Sequence, residues 1–568
     1  MNNNSGKTNN KKDDNLNQSD QVEATSQTIT NATSQKKLFG LNPIKIVFAM
    51  EYVLQGIANP FQGITYQPFF KHFRYDYGLS EAATQNLFSK SYLAWSFKPL
   101  LGFLIDAFGK TKVLLTILLS FSVIFYFITP IFDNNAMIFF WMMFVLSVIL
   151  AATDVCVDRA TVIDGDEESK RSGKSKSTTV GLNQAICWAA IYGTSIIAAV
   201  SGGYIADNIN IDYLMYMLTL VPLAVLIIVL FLPKDTAIPI PLQDSVKNFW
   251  DGLNTGPVLW IIIFYFLFHF QPAMGALWTN HLIENLHFTQ AEIGYSDGAS
   301  YVGLFVGVIL FATYGIRWQD KFGLKRLFKI FILSSIAVNL TQYMLVDPWF
   351  TKIAIVLQKT FPVFSIGTMR LVYLSIYNFF MAVFLGFVRM STLSLVGAVI
   401  PVKAAGSLFA GFMSVANLAY SFSYSSGSWL YENGLYYGIF RILQQNLFGI
   451  SAVPGANMSI NLLIFIGSIA YLLSYVAAHR LPDRKQTLAV EDDIDYLSGP
   501  EKYAVLGKSF LRTVNNLSVI MIIVVFCISY FYAQFDVVST SLFAFFGVTF
   551  FRKLFLDHSY NRIKSKQT

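Results

Sequence analysis

Charged side chains interrupt a segment that is otherwise almost wholly apolar. The stretch ATDVCVDRATVID, residues 152–164, follows the apolar run NAMIFFWMMFVLSVILA and contains Asp154, Asp158 and Arg159. A charge at the centre of a bilayer costs about 3 kcal/mol or more unless it is paired or faces water. The pattern therefore predicts either ion pairs or a wet site that binds a charged ligand or a proton.

Other predicted helices bring charged residues to a similar depth in the membrane. At about 1.5 Å per residue along a helix, these residues fall on one side of the bilayer midplane, in a layer with three acids and three bases. They are Glu51, Asp154, Asp158, Lys98, Arg159 and Arg389. Asp154 and Asp158 are four residues apart and therefore share one face of their helix. Asp164 lies beyond the predicted span, in a loop. The layer can neutralise itself.

Three interpretations of this layer stay open. It can be a substrate and proton site, in which a partly buried carboxylate exchanges protons while the cations hold an anionic ligand. It can be a gate whose ion pairs form in one conformation and break in the other. It can also be static, with Asp158 and Arg159 at the membrane interface and reaching water. We favour the first interpretation for Asp154 and Lys98.

The elements that must position these residues are transmembrane helices. Of the 568 residues, 54% are hydrophobic and only 13% are charged, about half the charged fraction of a soluble domain. Twelve stretches are long and apolar enough for a transmembrane helix. They lie near residues 45–69, 85–105, 113–132, 137–160, 180–201, 213–232, 257–279, 295–316, 327–346, 371–396, 405–431 and 460–479. The fold class expected is an all-α polytopic membrane protein.

The spans define the predicted domains. In chain order these are a disordered Asn-rich tail at 1–43, a six-helix half at 44–232, a central cytoplasmic loop at 233–256, a second six-helix half at 257–480, a polar cytoplasmic linker at 481–512, an appended transmembrane hairpin at 513–556 and a basic tail at 557–568. Lys and Arg gather in GKTK, SKRSGKSK and QDKFGLKRLFK, which places these loops and the N-terminus in the cytoplasm. This distribution explains the net charge of +7 without nucleic acid as a partner. The expected location is the plasma membrane or a bacterial inner membrane.

Two loops at equivalent places in the halves share a motif. The segments GFLIDAFGKTK and IRWQDKFGLKR each contain an Asp followed three residues later by Gly and then by basic residues. Gly permits positive φ, and the Asp can cap a helix or pair with the cations. This repeat predicts a two-half carrier with a gating loop. The residues assigned to that loop are Gly102, Asp106, Gly109, Lys110, Asp320 and Gly323. GFLIDAFGKTK also resembles a signature of the major facilitator superfamily.

Several blocks in chain order resemble the folate-biopterin transporter family of that superfamily. They are EYVLQGIA, WSFKPLLGFLID, DVCVDRATVID, VGLNQAICWAAIYG, QPAMGALWTNHLIENLHFTQAEIG and IPVKAAGSLFAGFMSVANLAYSFS. The resemblance implies a secondary carrier of pterins, folates or related nutrients. The carboxylates of the charged layer make the proton the expected coupling ion. It also implies a central cavity lined by the first, fourth, seventh and tenth helices.

The same resemblance, together with the charged layer, indicates where a substrate and a proton would bind. The candidate residues are Glu51, Lys98, Asp154, Asp158, Arg389, Gln271 and Trp188. Lys98 or Arg389 would hold a substrate carboxylate. Trp188 or Trp278 would stack on its flat ring. No enzyme activity is expected, because no paired nucleophile and base is visible in the spans. No metal site or cofactor is expected either, and the three cysteines, Cys156, Cys187 and Cys527, lie at unrelated spacings.

Two departures from the family pattern leave other functions open. Arg159 follows Asp158 where the family usually has Ala, and a neighbouring guanidinium would stabilise ionised Asp158 and disfavour proton exchange there. The segment PVKAAGS has Lys403 where the family tends to have an acid. One alternative is a carrier of another metabolite such as S-adenosylmethionine, a cation that would pair with Asp154 or Glu51. The other is a membrane sensor or scaffold that transports nothing.

Overall fold

The structure is a computed structural model that describes most of the chain. It covers residues 42–173, 176–232, 239–253, 256–322, 324–346, 348–399, 405–481 and 506–527, with isolated positions between 544 and 562. One compact unit is Val47–Thr568, and of the other, Met1–Ile46, only the last five residues are described. The predicted Asn-rich tail, most of the polar linker and most of the last predicted helix lie outside the described residues.

All regular structure in these ranges is helical. The helices of the first half are α1 (Pro43–Ala58), α2 (Tyr66–Lys71), α3 (Glu81–Ser96), α4 (Lys98–Phe108), α5 (Thr111–Ile128), α6 (Ala136–Ser172), α7 (Lys176–Asn208), α8 (Ile211–Leu218) and α9 (Leu220–Leu230). Between the halves lies α10 (Leu242–Leu253). The later helices are α11 (Gly256–His269), α12 (Ala276–Asn280), α13 (Gln290–Leu310), α14 (Ile316–Phe322), α15 (Leu324–Leu340), α16 (Trp349–Thr360), α17 (Ile366–Val399), α18 (Ala405–Asn433), α19 (Gly438–Phe448), α20 (Ile460–Ala478) and α21 (Lys508–Cys527).

Each of the twelve predicted spans coincides with one or two of these helices. In the described ranges, seven helices are long and apolar enough to cross a membrane alone, and an eighth is added if the bent pair Lys329–Leu345 and Trp349–Thr360 is one span. Several of the other predicted spans are short or interrupted. For example, α1 has 16 residues and α11 has 14.

Two of the interruptions lie beside the predicted charges. Phe97 separates α3 from α4, so Lys98 begins a new helix with a proline in its first turn, a position that tolerates the missing N–H of proline. In the second half, the span predicted at 257–279 is broken, because α11 ends at His269 and helix resumes only at Ala276. Pro272 in this gap accounts for the break, since proline disfavours helix in itself and in the preceding residue.

Helix α6 is longer than the sequence indicated. The predicted span ends at residue 160, but α6 continues to Ser172. Asp164, which was expected in a loop, is therefore helical, and that expectation was wrong. The extension is polar and carries pairs four residues apart, such as Asp166 and Lys170 at 2.7 Å, which favour helix outside the apolar layer.

The two halves meet along two seams. Helix α18 packs against α3 and α4, and α13 packs against α7 and also along α17. The α13–α17 contact is close at Gly303, where a Cβ atom would lie 2.3 Å from the carbonyl oxygen of Phe379. Small residues allow helix backbones in membranes to approach in this way. These contacts fix the placement of the charged residues Asp297 on α13 and Arg389 on α17.

Candidate functional site

A cavity of about 410 Å³ lies between the halves, within the range of about 300–1,000 Å³ that is usual for small-molecule sites. Aromatic rings form much of its wall, among them Trp188, Trp278 and several tyrosines. Among the described residues, the charged side chains in the wall are Lys98, Asp154, Asp297 and Arg389. Three of these four belong to the charged layer predicted from the sequence.

Lys98 and Asp154 form a buried ion pair. The Lys98 ammonium donates to Asp154 Oδ2, and Gln55 Nε2 donates to Asp154 Oδ1 at 2.6 Å. The ammonium also lies 5.0 Å from the centre of the Trp95 ring. In this conformation Lys98 neutralises Asp154, so it is not available to a substrate carboxylate.

Glu51 and Asp158 are fully buried carboxylates behind the cavity wall. The Tyr52 hydroxyl donates to Asp158 Oδ1 at 2.8 Å, and Gln184 Nε2 approaches the same oxygen at 3.4 Å. The Thr153 hydroxyl donates to Glu51 Oε1 at 2.6 Å. The second oxygens, Glu51 Oε2 and Asp158 Oδ2, have no hydrogen-bond partner among the described groups. Each carboxylate therefore has an oxygen on which a proton can reside.

The predicted layer of three acids and three bases separates into different environments. Arg159 Nε donates to Asp106 Oδ1 at 3.0 Å, and both side chains are buried, so the static interpretation that let Arg159 reach water was wrong. Arg389 has no carboxylate partner in the described part of the chain. Glu51, Asp154 and Asp158, which we call the acid cluster, thus share one cation, Lys98. Three buried carboxylates with one ammonium would be costly if all were ionised.

Arg389 occupies an aromatic part of the cavity wall. Its Nη1 donates to the Tyr192 hydroxyl at 2.5 Å, and its Nη2 lies 3.4 Å from His269 Nε2. The guanidinium carbon lies 4.9 Å from the centre of the Trp188 ring. Arg389 Nε has no partner among the described groups. Because a guanidinium is a planar set of donors that suits a carboxylate, Arg389 is the candidate residue for binding an anionic ligand.

His269 supports Arg389 as a neutral imidazole. Its Nδ1 lies 2.8 Å from the Tyr265 carbonyl oxygen, so hydrogen bonding assigns the proton to Nδ1. Its Nε2 then accepts from Arg389. His269 is the last residue of α11, so this contact lies at the break in the predicted span.

Asp297 is a site residue that the sequence analysis missed. Its Oδ2 accepts a hydrogen bond from Gln67 Nε2 at 3.3 Å, and no cation pairs with it in the ranges that the structure covers. It falls near the start of the span predicted at 295–316, where a charge is easily attributed to the membrane interface. The feature of the sequence that could have identified Asp297 is an acidic residue within an apolar helix.

The first gating motif holds both halves together. Besides Arg159, Asp106 Oδ2 accepts from the Ser245 hydroxyl at 3.1 Å and from the Ser407 backbone N–H at 3.2 Å. We call Asp106, Arg159, Ser245 and Ser407 the Asp106 cluster. Gly109 has φ 68°, and a Cβ atom there would lie 2.8 Å from Pro239 Cα. The predicted positive φ is confirmed, but Asp106 pairs with Arg159 of another helix instead of with its neighbouring lysines.

The other residues predicted for the gating loop, and Gln271, make none of the contacts described above. Gly102 is buried within α4, and Lys110 is exposed before α5. The side chain of Asp320 and the whole of Gly323 lie outside the described residues. Gln271 is absent from the cavity wall, and its side-chain oxygen lies next to Gly467 of α20.

The halves also contact each other at the end opposite the Asp106 cluster. Gln85 Nε2 donates to the Met274 carbonyl oxygen at 2.8 Å, and Gln85 Oε1 accepts from the Leu277 N–H at 3.0 Å. Tyr75 in the first half donates to Glu284 in the second at 3.0 Å. The halves therefore contact each other at both ends of the cavity.

Known proteins share this architecture. The BT1 family model matches residues 55–497. The chain is similar to the D-xylose–proton symporter, at 15% identity over 76% of this chain and 96% of that chain, with a TM-score of 0.50. It is also similar to a mutant of the nucleoside transporter NupG, at 14% identity over 77% and 98% of the two chains and a TM-score of 0.50. No curated protein matches it in sequence. The fold is therefore the two-half helical fold of major facilitator transporters, in a multi-pass membrane protein.

Proposed function

We propose that this chain, which belongs to the BT1 family, carries folate, biopterin or a related pteridine across a membrane. Transport would proceed by alternating access and would be coupled to protons. The observation that carries the proposal is Arg389, a cavity-facing guanidinium without a carboxylate partner among the described residues. A carboxylate of folate would supply that partner, whereas biopterin, which has no carboxylate, would bind through its ring.

The surroundings of Arg389 suit a ligand that is both anionic and aromatic. A carboxylate can accept two parallel hydrogen bonds from a guanidinium. The nearby rings of Trp188 and Tyr192 offer flat apolar surfaces to a heteroaromatic ring. Arg389 already covers one face of Trp188, so a substrate ring would stack on that face only if the guanidinium moved.

Proton coupling is supported by the acid cluster. Its three carboxylates share one cation, so the buried site favours binding of protons when the cavity is closed. Asp154 lines the cavity and contacts Gln55, and Gln55 belongs to the same helix as Glu51. A change at the cavity wall can therefore be transmitted to the buried acids.

Alternating access would use the contacts at the two ends as gates. In this proposal the Asp106 cluster breaks when one side opens, and the Gln85 contacts break when the other opens. With the N-terminus in the cytoplasm, the Asp106 cluster would face the cytoplasm. The plasma membrane or a bacterial inner membrane remains the proposed location.

A cationic metabolite such as S-adenosylmethionine is a second candidate, and Asp297 favours it. The acids expected to bind such a cation are poorly placed, because Asp154 is paired with Lys98 and Glu51 does not line the cavity. Asp297 does line the cavity and has no cation partner among the described residues. The two candidates therefore depend on different charges.

Uptake into proteoliposomes tests the proposal. Labelled folate, biopterin and S-adenosylmethionine would be added outside the proteoliposomes, with and without an acidic exterior. The proteoliposomes would contain the parent protein, Arg389→Lys or Arg171→Lys. We expect saturable folate uptake that is stimulated by external acid. Arg389→Lys should lower this uptake about tenfold or more, because lysine lacks the planar fork. The exposed control Arg171→Lys should leave the uptake unchanged.

Other results would redirect the assignment. Uptake of S-adenosylmethionine alone would favour the second candidate. Uptake of none of the three compounds by protein with an intact thermal transition would contradict the pteridine proposal and favour a sensor or scaffold.

A further inference from the structure

Gln67 and Asp297 are neighbouring residues of the cavity wall that both offer hydrogen-bond acceptors. Gln67 Nε2 donates to Asp297 Oδ2 at 3.3 Å, and this contact fixes which end of the amide is the oxygen, since a carboxylate needs a donor. Gln67 is 3% exposed, and its Oε1 is buried without a hydrogen-bond partner among the described groups. A buried acceptor of this kind costs free energy until a donor fills it.

Among the described groups, Gln67 Oε1 has no donor, and Asp297 accepts only from the Gln67 amide. The Tyr66 hydroxyl is engaged with Thr279 Oγ1 at 3.0 Å. Tyr301, one turn further along α13 than Asp297, also lines the cavity. No cation pairs with Asp297 within the described ranges. A ligand with two adjacent N–H groups would satisfy Gln67 Oε1 and add a second donor to Asp297.

We propose that Asp297 and Gln67 bind the N–C–N edge of the pteridine, where a ring N–H and an exocyclic amino group point in the same direction. This inference rests on the proposed function and deepens it by assigning the recognition of the ring. Arg389 would hold the acidic tail of folate while Asp297 and Gln67 hold the amino-substituted end of the ring. The opposite signs of Arg389 and Asp297 in one cavity would give the ligand a single orientation.

Binding of two matched compounds tests this assignment. The first is biopterin, and the second is its 2-oxo counterpart, a lumazine with the same side chain, which presents an oxygen where biopterin has an amino group. Affinities would be measured on the purified full chain by quenching of tryptophan fluorescence. The quantity compared is the ratio of the two dissociation constants, because a ratio within one variant is insensitive to the fraction of folded protein.

We expect the parent protein to prefer biopterin about tenfold or more, since a site built to accept N–H groups rejects a ligand that lacks one. Asp297→Asn should reduce the preference to about threefold or less, because an amide can donate to the 2-oxo oxygen. Gln67→Met should reduce it by a smaller factor. Asp244→Asn, a control on the exposed face of α10, should leave the ratio unchanged.

Failure of this inference is distinguishable from failure of the proposed function. If the parent protein binds biopterin but Asp297→Asn keeps the parent ratio, the assignment of Asp297 is wrong and the pteridine carrier stands. Equal binding of both compounds by the parent protein would also overturn the assignment. If the parent protein binds neither compound nor folate, the proposed function fails, and the inference fails with it.

Discussion

The charged side chains of the two halves differ in their hydrogen-bond and ion-pair partners. In the first half, the acid cluster is held by internal partners, with Lys98 and Gln55 on Asp154, Tyr52 on Asp158 and Thr153 on Glu51. In the second half, Arg389 and Asp297 both face the cavity, and neither has a partner of opposite charge among the described residues. The first arrangement suits small exchangeable protons, and the second suits a larger ligand.

This difference separates a structural role from a binding role. Removing a charge that has an internal partner leaves that partner buried and unpaired, which is strongly destabilising. Removing a charge that faces the cavity and has no counterion removes only its contacts with a ligand and with neutral neighbours. The two groups should therefore respond to mutation in different measurements.

The largest effect is expected for Lys98→Met. It leaves Asp154 without its cation, so the free energy of unfolding should fall by about 3–5 kcal/mol. The double variant Lys98→Met/Asp154→Asn should recover much of this loss. Thermal unfolding in detergent measures both, with the exposed Lys170→Met as a control expected to change by about 0.5 kcal/mol or less. A stable single variant would show that Asp154 is neutralised by another route.

A somewhat smaller loss is expected for Asp106→Ala, which leaves Arg159 buried without its carboxylate. We expect a decrease of about 3 kcal/mol, and about 1 kcal/mol for Ser245→Ala, which removes one hydrogen bond. Arg389→Met should have little effect in the same thermal assay. Equal losses for Asp106→Ala and Arg389→Met would remove the distinction between the two arginines.

The smallest effect is expected for Tyr192→Phe. It removes the hydroxyl that accepts from Arg389 at 2.5 Å, so folate affinity should fall about fivefold, equivalent to about 1 kcal/mol, with little change in thermal stability. Tyr204→Phe, at an exposed position on the same helix, is the matched control. A large thermal change without a change in affinity would assign Tyr192 to packing instead of to the binding site.

The sequence was sufficient to predict the helices and much of the charged layer. Apolar length and loop charge indicated the spans, and intramembrane charge indicated Lys98, Asp154 and Arg389, all of which line the cavity. It could not predict the pairing, because Arg159 and Asp106 meet across different helices. Asp297 was missed because the depth of a residue in the membrane, counted along its own helix, does not show whether it faces a cavity formed by both halves.

The most direct test of the division between proton and substrate sites compares two transport modes. Glu51→Gln mimics a permanently protonated acid. It should keep the exchange of labelled folate across the proteoliposome membrane when the pH is equal on both sides, but it should lose the accumulation of folate that a pH gradient drives. Arg389→Lys should lose both modes. Gradient-driven accumulation at the parent rate in Glu51→Gln, or exchange at the parent rate in Arg389→Lys, would contradict the account.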